Sequence, residues 1–252
     1  MAELEAISPK LVSLLRVASR VVVLTGAGVS QESGLHTFRD AQVGLWAQYR
    51  PEDLATPEAF AKNPKLVWDW YALRREQVKT VAPNPGHYAL AEMARQVPKF
   101  TLITQNVDGL HQRAGNVEVI ELHGSLRRVK CAACGQPTHE WAQTETETPR
   151  CAACGGLLRP DVVWFGEELP HEALAAAVEA ARFADIFFSI GTSGLVQPAA
   201  SLAMAAKHKN ALVVEVNAEP TALSKEADFV LIGKSGEILP ALVQAVWGGG
   251  QT

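Results

Sequence analysis

Short continuous apolar runs punctuate the chain: VVVL (21–24), FTLIT (100–104), VEVIEL (117–122), DIFFSIG (185–191), ALVVEVN (211–217) and DFVLI (228–232). A strand with one wet face alternates apolar and polar residues. A run with little alternation predicts a strand covered on both faces, as in a parallel sheet flanked by helices. Helical patterns fill several of the gaps. Apolar positions between Ile7 and Ala18 lie near helical spacing. Asn84-Pro85 opens another helix, with Asn as N-cap and Pro at the first position, and the Ala- and Glu-rich stretch His171 to Phe183 predicts a third. Strands alternating with helices predict an α/β fold with a doubly wound, mostly parallel sheet.

Two stretches break the rhythm. Residues 37 to about 76 hold tryptophans, prolines and a helix but no strand run; residues 124 to about 160 hold four cysteines and the polar tract TETETPR. Both read as insertions that together build a small second lobe on one larger one. A chain of 252 residues with 48% hydrophobic residues buries a substantial core. The net charge of −4 does not argue for bulk nucleic-acid affinity, which needs a basic face. The N-terminal MAELEAISPK lacks the basic and apolar regions of a secretory signal, and no apolar run reaches the roughly 18–20 residues of a bilayer span. A cytoplasmic protein is expected, and with no coiled-coil or apolar seam in the sequence, a monomer.

Cys131-x2-Cys134 and Cys151-x2-Cys154 are separated by sixteen residues. Four thiolates at this spacing suit a tetrahedral zinc ion and close its coordination shell. A glycine follows each pair, which lets the backbone turn tightly around an ion. A redox dithiol would not need the second pair. The flanking Arg127, Arg128, Lys130 and Arg150 leave a nucleic-acid-binding ribbon open. With four cysteines present, zinc has no vacancy for His123 or His139, so the metal is expected to be structural.

Thr25-Gly26-Ala27-Gly28-Val29-Ser30 follows the first strand, where glycines let a pyrophosphate approach free backbone N–H groups. The third glycine of the dehydrogenase fingerprint is replaced by Gln31, and no strand ending in an acidic residue follows about twenty residues on, which argues against hydride transfer. Ser30, Glu32, Ser33, Thr37 and Arg39 instead crowd polar groups after the turn, and Arg39 is suited to phosphate. Later strand ends carry Gly191-Thr192-Ser193 and Asn217-Ala218-Glu219. Each alone reads as a turn or cap; together, beyond the C-terminal ends of strands, they point to a nucleotide site in which Glu219 holds ribose hydroxyls.

In this order, GAGVSQESGLHTFRD, TQNVDGLH (104–111), ELHG (121–124), the two cysteine pairs, GTS and NAE make the chain resemble the sirtuins, NAD-dependent protein-lysine deacylases, over about residues 10 to 245. The resemblance implies a Rossmann-like lobe (about 1–36, 77–123 and 160–252) and a small lobe made of a helical insertion (about 37–76) and a zinc ribbon (about 124–159). It implies NAD as co-substrate, one structural zinc, acylated-lysine proteins or peptides as partners, and nicotinamide and O-acyl-ADP-ribose as products. His123 is then the base that activates a ribose hydroxyl, a role suited to a group with an ordinary pKa near 6.5. Asn106 contacts the ribose and positions water, Asp108 binds the nicotinamide carboxamide, and Gln105 and Val107 lie beside them. Ala27, Phe38 and Ser235 complete the cofactor contacts. The family often has proline where this chain has His36.

The helix NPKLVWDWYALRREQ carries Tyr71 and Arg74, three residues apart and so on one face. A guanidinium fork with a phenol suits an acyl chain ending in carboxylate. The same pair occurs in sirtuins that remove succinyl and malonyl groups, and the small Ala55 leaves room beside it. A solvated helix face is the other reading of these charges. Val162, Trp164, Phe165, Gly166 and Glu167, in PDVVWFGEELP, resemble the stretch along which family members lay the substrate peptide as an added strand; core packing is the alternative for several of them. Deacylation preferring succinyl and malonyl is the expected activity, with plain deacetylation, mono-ADP-ribosyl transfer and a non-enzymatic zinc-ribbon binder as rivals.

Overall fold

The computed structural model describes residues 7–35, 49–138, 140–141 and 147–248. In chain order, the first part comprises α1 (Pro9–Val17), β1 (Arg20–Thr25), α2 (Gly28–Gln31), α3 (Pro51–Leu54), α4 (Pro57–Lys62), α5 (Pro64–Thr80), α6 (Pro85–Gln96), β2 (Lys99–Thr104), α7 (Leu110–Arg113) and β3 (Val119–Glu121). Then come β4 (Gly124–Cys131), β5 (Pro137–Thr138), β6 (Leu158–Val162), α8 (His171–Arg182), β7 (Ile186–Ile190), α9 (Ser201–Lys207), β8 (Leu212–Asn217), β9 (Phe229–Ile232) and α10 (Ser235–Trp247).

Six parallel strands form one sheet in the order β3-β2-β1-β7-β8-β9. Successive side chains on a strand point to opposite faces, and both faces here are dry. Val21 and Val23 of β1 pack with Leu11, Leu15, Leu90, Met93, Leu239 and Leu242, on the side of α1, α6 and α10. Val22 and Leu24 pack with Ala177, Ala181, Leu202 and Ala203, on the side of α8 and α9. Phe188 and Phe187 divide in the same way on β7. That double burial is why these strands lack alternation. The run 117–122 yields only three strand residues: pairing with β2 begins at Val119, and Val117, just outside the ladder, is 93% exposed.

A second sheet, β5-β4-β6, is antiparallel and leaves the parallel framework after His123. Gly124 makes that departure possible. Its φ is +77°, and a Cβ there would lie 2.2 Å from the Asp161 carbonyl oxygen. The other interruption is helical in its described part. Thr56 and Asn63 accept hydrogen bonds from Ala59 N–H and Leu66 N–H, starting α4 and α5, and α5 runs on to Thr80. One face of α5 packs Val67, Trp70 and Tyr71 with Leu126, Val162 and Trp164 of the second sheet and its extension. Its other face places Trp68 with Val129, Cys131 and Leu158, and the Arg75 guanidinium lies 4.7 Å from the Trp68 ring and 5.7 Å from that of Trp141.

Asn84 caps α6 as the sequence predicts, in a reciprocal box that His87 completes by accepting from Asn84 N–H. His87 and His111 are both buried, with ring centroids 4.8 Å apart. Burial lowers their pKa values from 6.5 to about 4 and about 3; His87 adds to the lowering at His111. Both fold neutral, whereas in the unfolded chain they bind protons below their ordinary 6.5. The unfolded state therefore gains protons first as pH falls. Stability supplied by the neutral pair is complete above pH 6.5 and drains away through the window down to pH 4 and 3. Chemical denaturation across pH 4.5–7 is expected to lose up to about 1.4 kcal/mol per pH unit per histidine within that window, and a His111→Asn variant is expected to show a shallower slope.

Candidate functional site

The direction of strand order reverses between β1 and β7, and the crevice opens beyond their C-terminal ends. The two turns meet backbone to backbone. Gly26 N–H donates to the Ile190 carbonyl and Gly28 N–H to the Gly191 carbonyl, each at 2.9 Å. Gly191 has a φ of +60°, and a Cβ on it would lie 2.5 Å from Val29 N; Cβ atoms on Gly26 and Gly28 would come within 2.7–2.8 Å of the Gly191 backbone. The glycines are thus required by mutual contact, and the same closeness bares the turn's backbone to a ligand.

A cavity of about 320 Å³ lies over these turns, lined by Gly28, Gln31 and Glu32 after β1, Gly191 after β7, Asn217 and Ala218 after β8, and Gly233, Lys234 and Ser235 after β9. Its size falls in the range of small-molecule sites. Asn217 Nδ2 donates to the Thr192 carbonyl, and Thr192 Oγ1 accepts from Gln105 Nε2, so the strand-end turns are tied to one another. Glu32 also anchors a helix, because its carboxylate accepts from Ser235 Oγ and Gly236 N–H at the start of α10. Ala27, Ser193 and Glu219 are exposed, and Glu219 does not line this cavity. Thr37, Phe38 and Arg39, with His36, lie outside the described residues. Gln31, Gly233 and Lys234 line the cavity without having been expected as cofactor contacts; the strand-end rule applied to β9 as to β7 and β8 points to the last two.

The segment after β2 carries the densest polar network. Asn106 is buried and donates from Nδ2 to the Gly26 carbonyl at 3.0 Å and to Ser30 Oγ at 3.2 Å. Ser30 Oγ donates to Asp108 Oδ2 at 2.8 Å, and Leu110 N–H donates to Asp108 Oδ1 at 2.8 Å. Burial raises the Asp108 pKa, and these two hydrogen bonds oppose it. Behind the segment, His111 Nε2 lies 2.9 Å from Thr25 Oγ1, which bonds Thr104 Oγ1 at 2.8 Å. Val107 is held through its carbonyl by Leu126 N–H at 2.8 Å.

His123 follows β3 and the buried Leu122, and precedes Gly124. Its Nδ1 lies 2.9 Å from the Gln105 carbonyl. A carbonyl only accepts, so Nδ1 carries the proton and neutral His123 presents Nε2 as an acceptor. Burial lowers its pKa; the Gln105 carbonyl, which accepts better from the charged ring, partly restores it. The ring is a base at neutral pH, fixed by the segment that holds Asn106 and Asp108.

Beside it, Ala55, Tyr71, Val162 and Trp164 are all buried in one cluster. Trp164 Nε1 donates to Tyr71 Oη at 3.1 Å. Arg74 stacks 5.0 Å from the Trp70 ring centroid; burial lowers its pKa, which neighbouring Tyr71 and Asp108 partly restore. The same guanidinium therefore feels both the α5 face and the segment after β2. Phe165 and Gly166 are exposed. Val163 N–H donates to the His123 carbonyl and Phe165 N–H to the Ala55 carbonyl, both at 2.9 Å. Glu167 is occupied inside the protein, by Arg159 through both carboxylate oxygens and by Trp164 N–H at 2.8 Å.

The four cysteine Sγ atoms lie within 4.8 Å of one another, with Cys131–Cys154 at 3.5 Å and Cys134–Cys151 at 3.9 Å. Tetrahedral zinc–thiolate bonds of about 2.3 Å place sulfurs roughly 3.8 Å apart, so the set fits zinc. Ala133 N–H and Cys134 N–H point at Cys131 Sγ, and Gly156 N–H at Cys154 Sγ, which suits thiolates. His123 precedes β4 and Cys131 ends it; Gly124 and Cys131 pair with Val162 and Leu158 of β6, on the order of 13 Å apart by strand rise, so the metal does not touch the base. Two of the flanking cations are paired: Arg128 with Glu121 and Asp161, and Lys130 with Asp161.

A profile of the Sir2 family matches residues 26–198. The NAD-dependent protein deacylase 2 of Pyrobaculum aerophilum is 53% identical over 233 residues, covering 92% of this chain and 93% of that protein. The NAD-dependent protein deacylase of Methylococcus capsulatus is 49% identical over 247 residues, covering 95% and 97%. Among solved structures, a Sir2 homologue in complex with NAD superposes with a TM-score of 0.91 at 47% identity over 96% of this chain and 95% of that one. A Sir2 bound to acetylated peptide superposes with a TM-score of 0.85 at 28% identity over 96% and 98%.

Because Trp68 and Trp141 pack around the buried Cys131, chelation of zinc is expected to shift tryptophan emission to longer wavelength while the helical circular dichroism of the parallel-sheet lobe persists. Metal analysis is expected to give one zinc per chain, and a Cys134→Ser variant to release it at lower chelator concentration.

Proposed function

The chain belongs to the Sir2 family and is an NAD-dependent protein deacylase, and on that premise we propose that it prefers lysines whose acyl group ends in a carboxylate, succinyl and malonyl, with acetyl removed more slowly. The observation that carries this preference is the position of Arg74 and Tyr71: a guanidinium and a phenol on one helix face, beside small Ala55 and within electrostatic reach of Asp108. A buried guanidinium has lost water and gains most from a charged, bidentate acceptor. An acetyl group offers no such acceptor, which slows its removal without abolishing it.

NAD supplies the ADP-ribosyl group that receives the acyl chain, with nicotinamide as leaving group. The residues proposed to hold it are those of the glycine turn and the strand ends, Gly26, Gly28, Gly191, Thr192, Asn217 and Ser235, with the exposed Ala27, Ser193 and Glu219 at the rim and Thr37, Phe38 and Arg39 completing it. Asp108, braced by Ser30 and Leu110, accepts from a carboxamide N–H. Asn106, fixed on Gly26 and Ser30, orients the ribose and a water. His123 takes a proton from a ribose hydroxyl at Nε2, while Nδ1–H stays on the Gln105 carbonyl. The two interruptions, helical and zinc-binding, act as one small lobe that carries the acyl pocket to this point. The exposed Phe165 and Gly166 lie where the peptide would run.

Succinyl- and acetyl-lysine peptides of one sequence, assayed by mass spectrometry with and without NAD, test the proposal. The succinyl peptide is expected to react faster, and Arg74→Met to cost it at least about tenfold, the scale of a charged hydrogen bond, while sparing acetyl. Equal rates on both peptides, untouched by Arg74→Met, would remove the acyl preference. His123→Ala is expected to abolish turnover of both. Because burial holds the His123 pKa below 6.5, the acid limb of kcat/KM is expected below that pH.

A further inference from the structure

We propose that Trp164 is a specificity-determining residue acting through Tyr71: its indole N–H fixes the Tyr71 hydroxyl as a donor and so matches the pocket to an acyl carboxylate. The inference rests on the acyl reading above. An indole N–H only donates, and a phenol has one proton and two acceptor positions. Trp164 Nε1 lies 3.1 Å from Tyr71 Oη, so the phenol oxygen accepts there and its own proton must point elsewhere. No acceptor for that proton occurs among the described residues. Tyr71 is only 3% exposed, and burial raises its pKa, so the proton stays on the oxygen. A buried donor with no acceptor costs free energy until a ligand supplies one. A terminal carboxylate does so and an acetyl methyl does not.

The indole is held in this role from its other sides. The Arg159 guanidinium lies 3.3 Å over its ring, and Phe60 packs at 5.3 Å. Arg159 is in turn gripped by both Glu167 oxygens, at 2.5 and 2.9 Å, and donates to the Val162 carbonyl. A cation on the ring face draws electron density from the indole and strengthens its N–H as a donor. Glu167, Arg159, Trp164 and Tyr71 thus form one chain of contacts that ends in a phenol proton. Were Trp164 only a packing residue, its N–H would be incidental, and its loss would affect every acyl substrate alike.

The test measures kcat/KM at saturating NAD on matched succinyl- and acetyl-lysine peptides, for the wild type, Trp164→Phe, Tyr71→Phe and the double variant. Trp164→Phe is expected to lose about five- to tenfold on the succinyl peptide, the scale of one hydrogen bond, mainly through KM, and to lose less on the acetyl peptide, so that the succinyl-to-acetyl ratio falls. In the Tyr71→Phe background the same substitution is expected to add less than about twofold, because the oriented proton is already gone. Equal losses on both peptides, or losses that multiply in the double variant, would reduce Trp164 to a packing residue. A succinyl preference that survives Trp164→Phe intact overturns this inference alone. A wild type without that preference overturns the acyl reading and this inference together. If Trp164→Phe shows no cooperative melt, replacement of Trp164 by benzothienylalanine, which keeps the ring and exchanges N–H for sulfur, carries the same comparison.

Discussion

Two backbone turns meet where no side chain fits. The hydrogen bonds from Gly26 and Gly28 to the carbonyls of Ile190 and Gly191 join the end of β1 to the end of β7 at the point where the strand order of the parallel sheet reverses. Any Cβ on Gly191 would strike Val29 N. The contact sets the width of the crevice, bares the amide groups that face it, and fixes Gly26 as the acceptor for Asn106. The polar segment after β2, and through the Gln105 carbonyl the ring of His123, take their positions from there.

Beneath that contact runs a buried polar chain. His87 accepts from Asn84 N–H, which leaves its Nε2 proton facing Ser30 Oγ at 3.4 Å; Ser30 passes its own proton to Asp108. His111 and Thr25 do the same for Thr104, whose oxygen accepts from Asn106 N–H. The Asn84 N–H on its Nδ1 requires a neutral His87, and burial keeps His111 neutral. What the network provides is position: Asn106 and Asp108, the side chains proposed for the ribose and the carboxamide, cannot turn without breaking several bonds at once.

The helix α5 joins the two modules of the small lobe. Toward the second sheet it presents Trp70 and Tyr71; toward the cysteines it presents Trp68 and Arg75, with Trp141 closing over the guanidinium. Zinc therefore serves the reaction at a distance. It holds the ribbon, the ribbon packs on α5, and α5 carries Tyr71 and Arg74, the side chains of the proposed acyl pocket. Such a metal has no need of an open coordination position.

Sequence alone determined much of this, wherever the physics is local. Runs such as VVVL and FFSI lack the alternation of a half-wet strand and so call for cover on both faces, which made the doubly wound parallel sheet legible. Asn84-Pro85 starts a helix by its own chemistry, and two Cys-x2-Cys pairs carry their metal geometry in their spacing. The motifs that carry the family resemblance also marked His123, Asn106 and Asp108. Only the tertiary structure decided what depends on residues far apart meeting. The glycines at 26, 28 and 191 are required by one another, which no window of sequence contains. Glu167, expected as a substrate contact from its place in the motif, is bound by Arg159 because β6 and its extension fold back on themselves. Glu32 was marked for a cofactor and also caps α10, some two hundred residues away. Tyr71 and Trp164, 93 positions apart, share a hydrogen bond. A hydrogen bond needs atoms placed to within a few tenths of an ångström, and only packing supplies that.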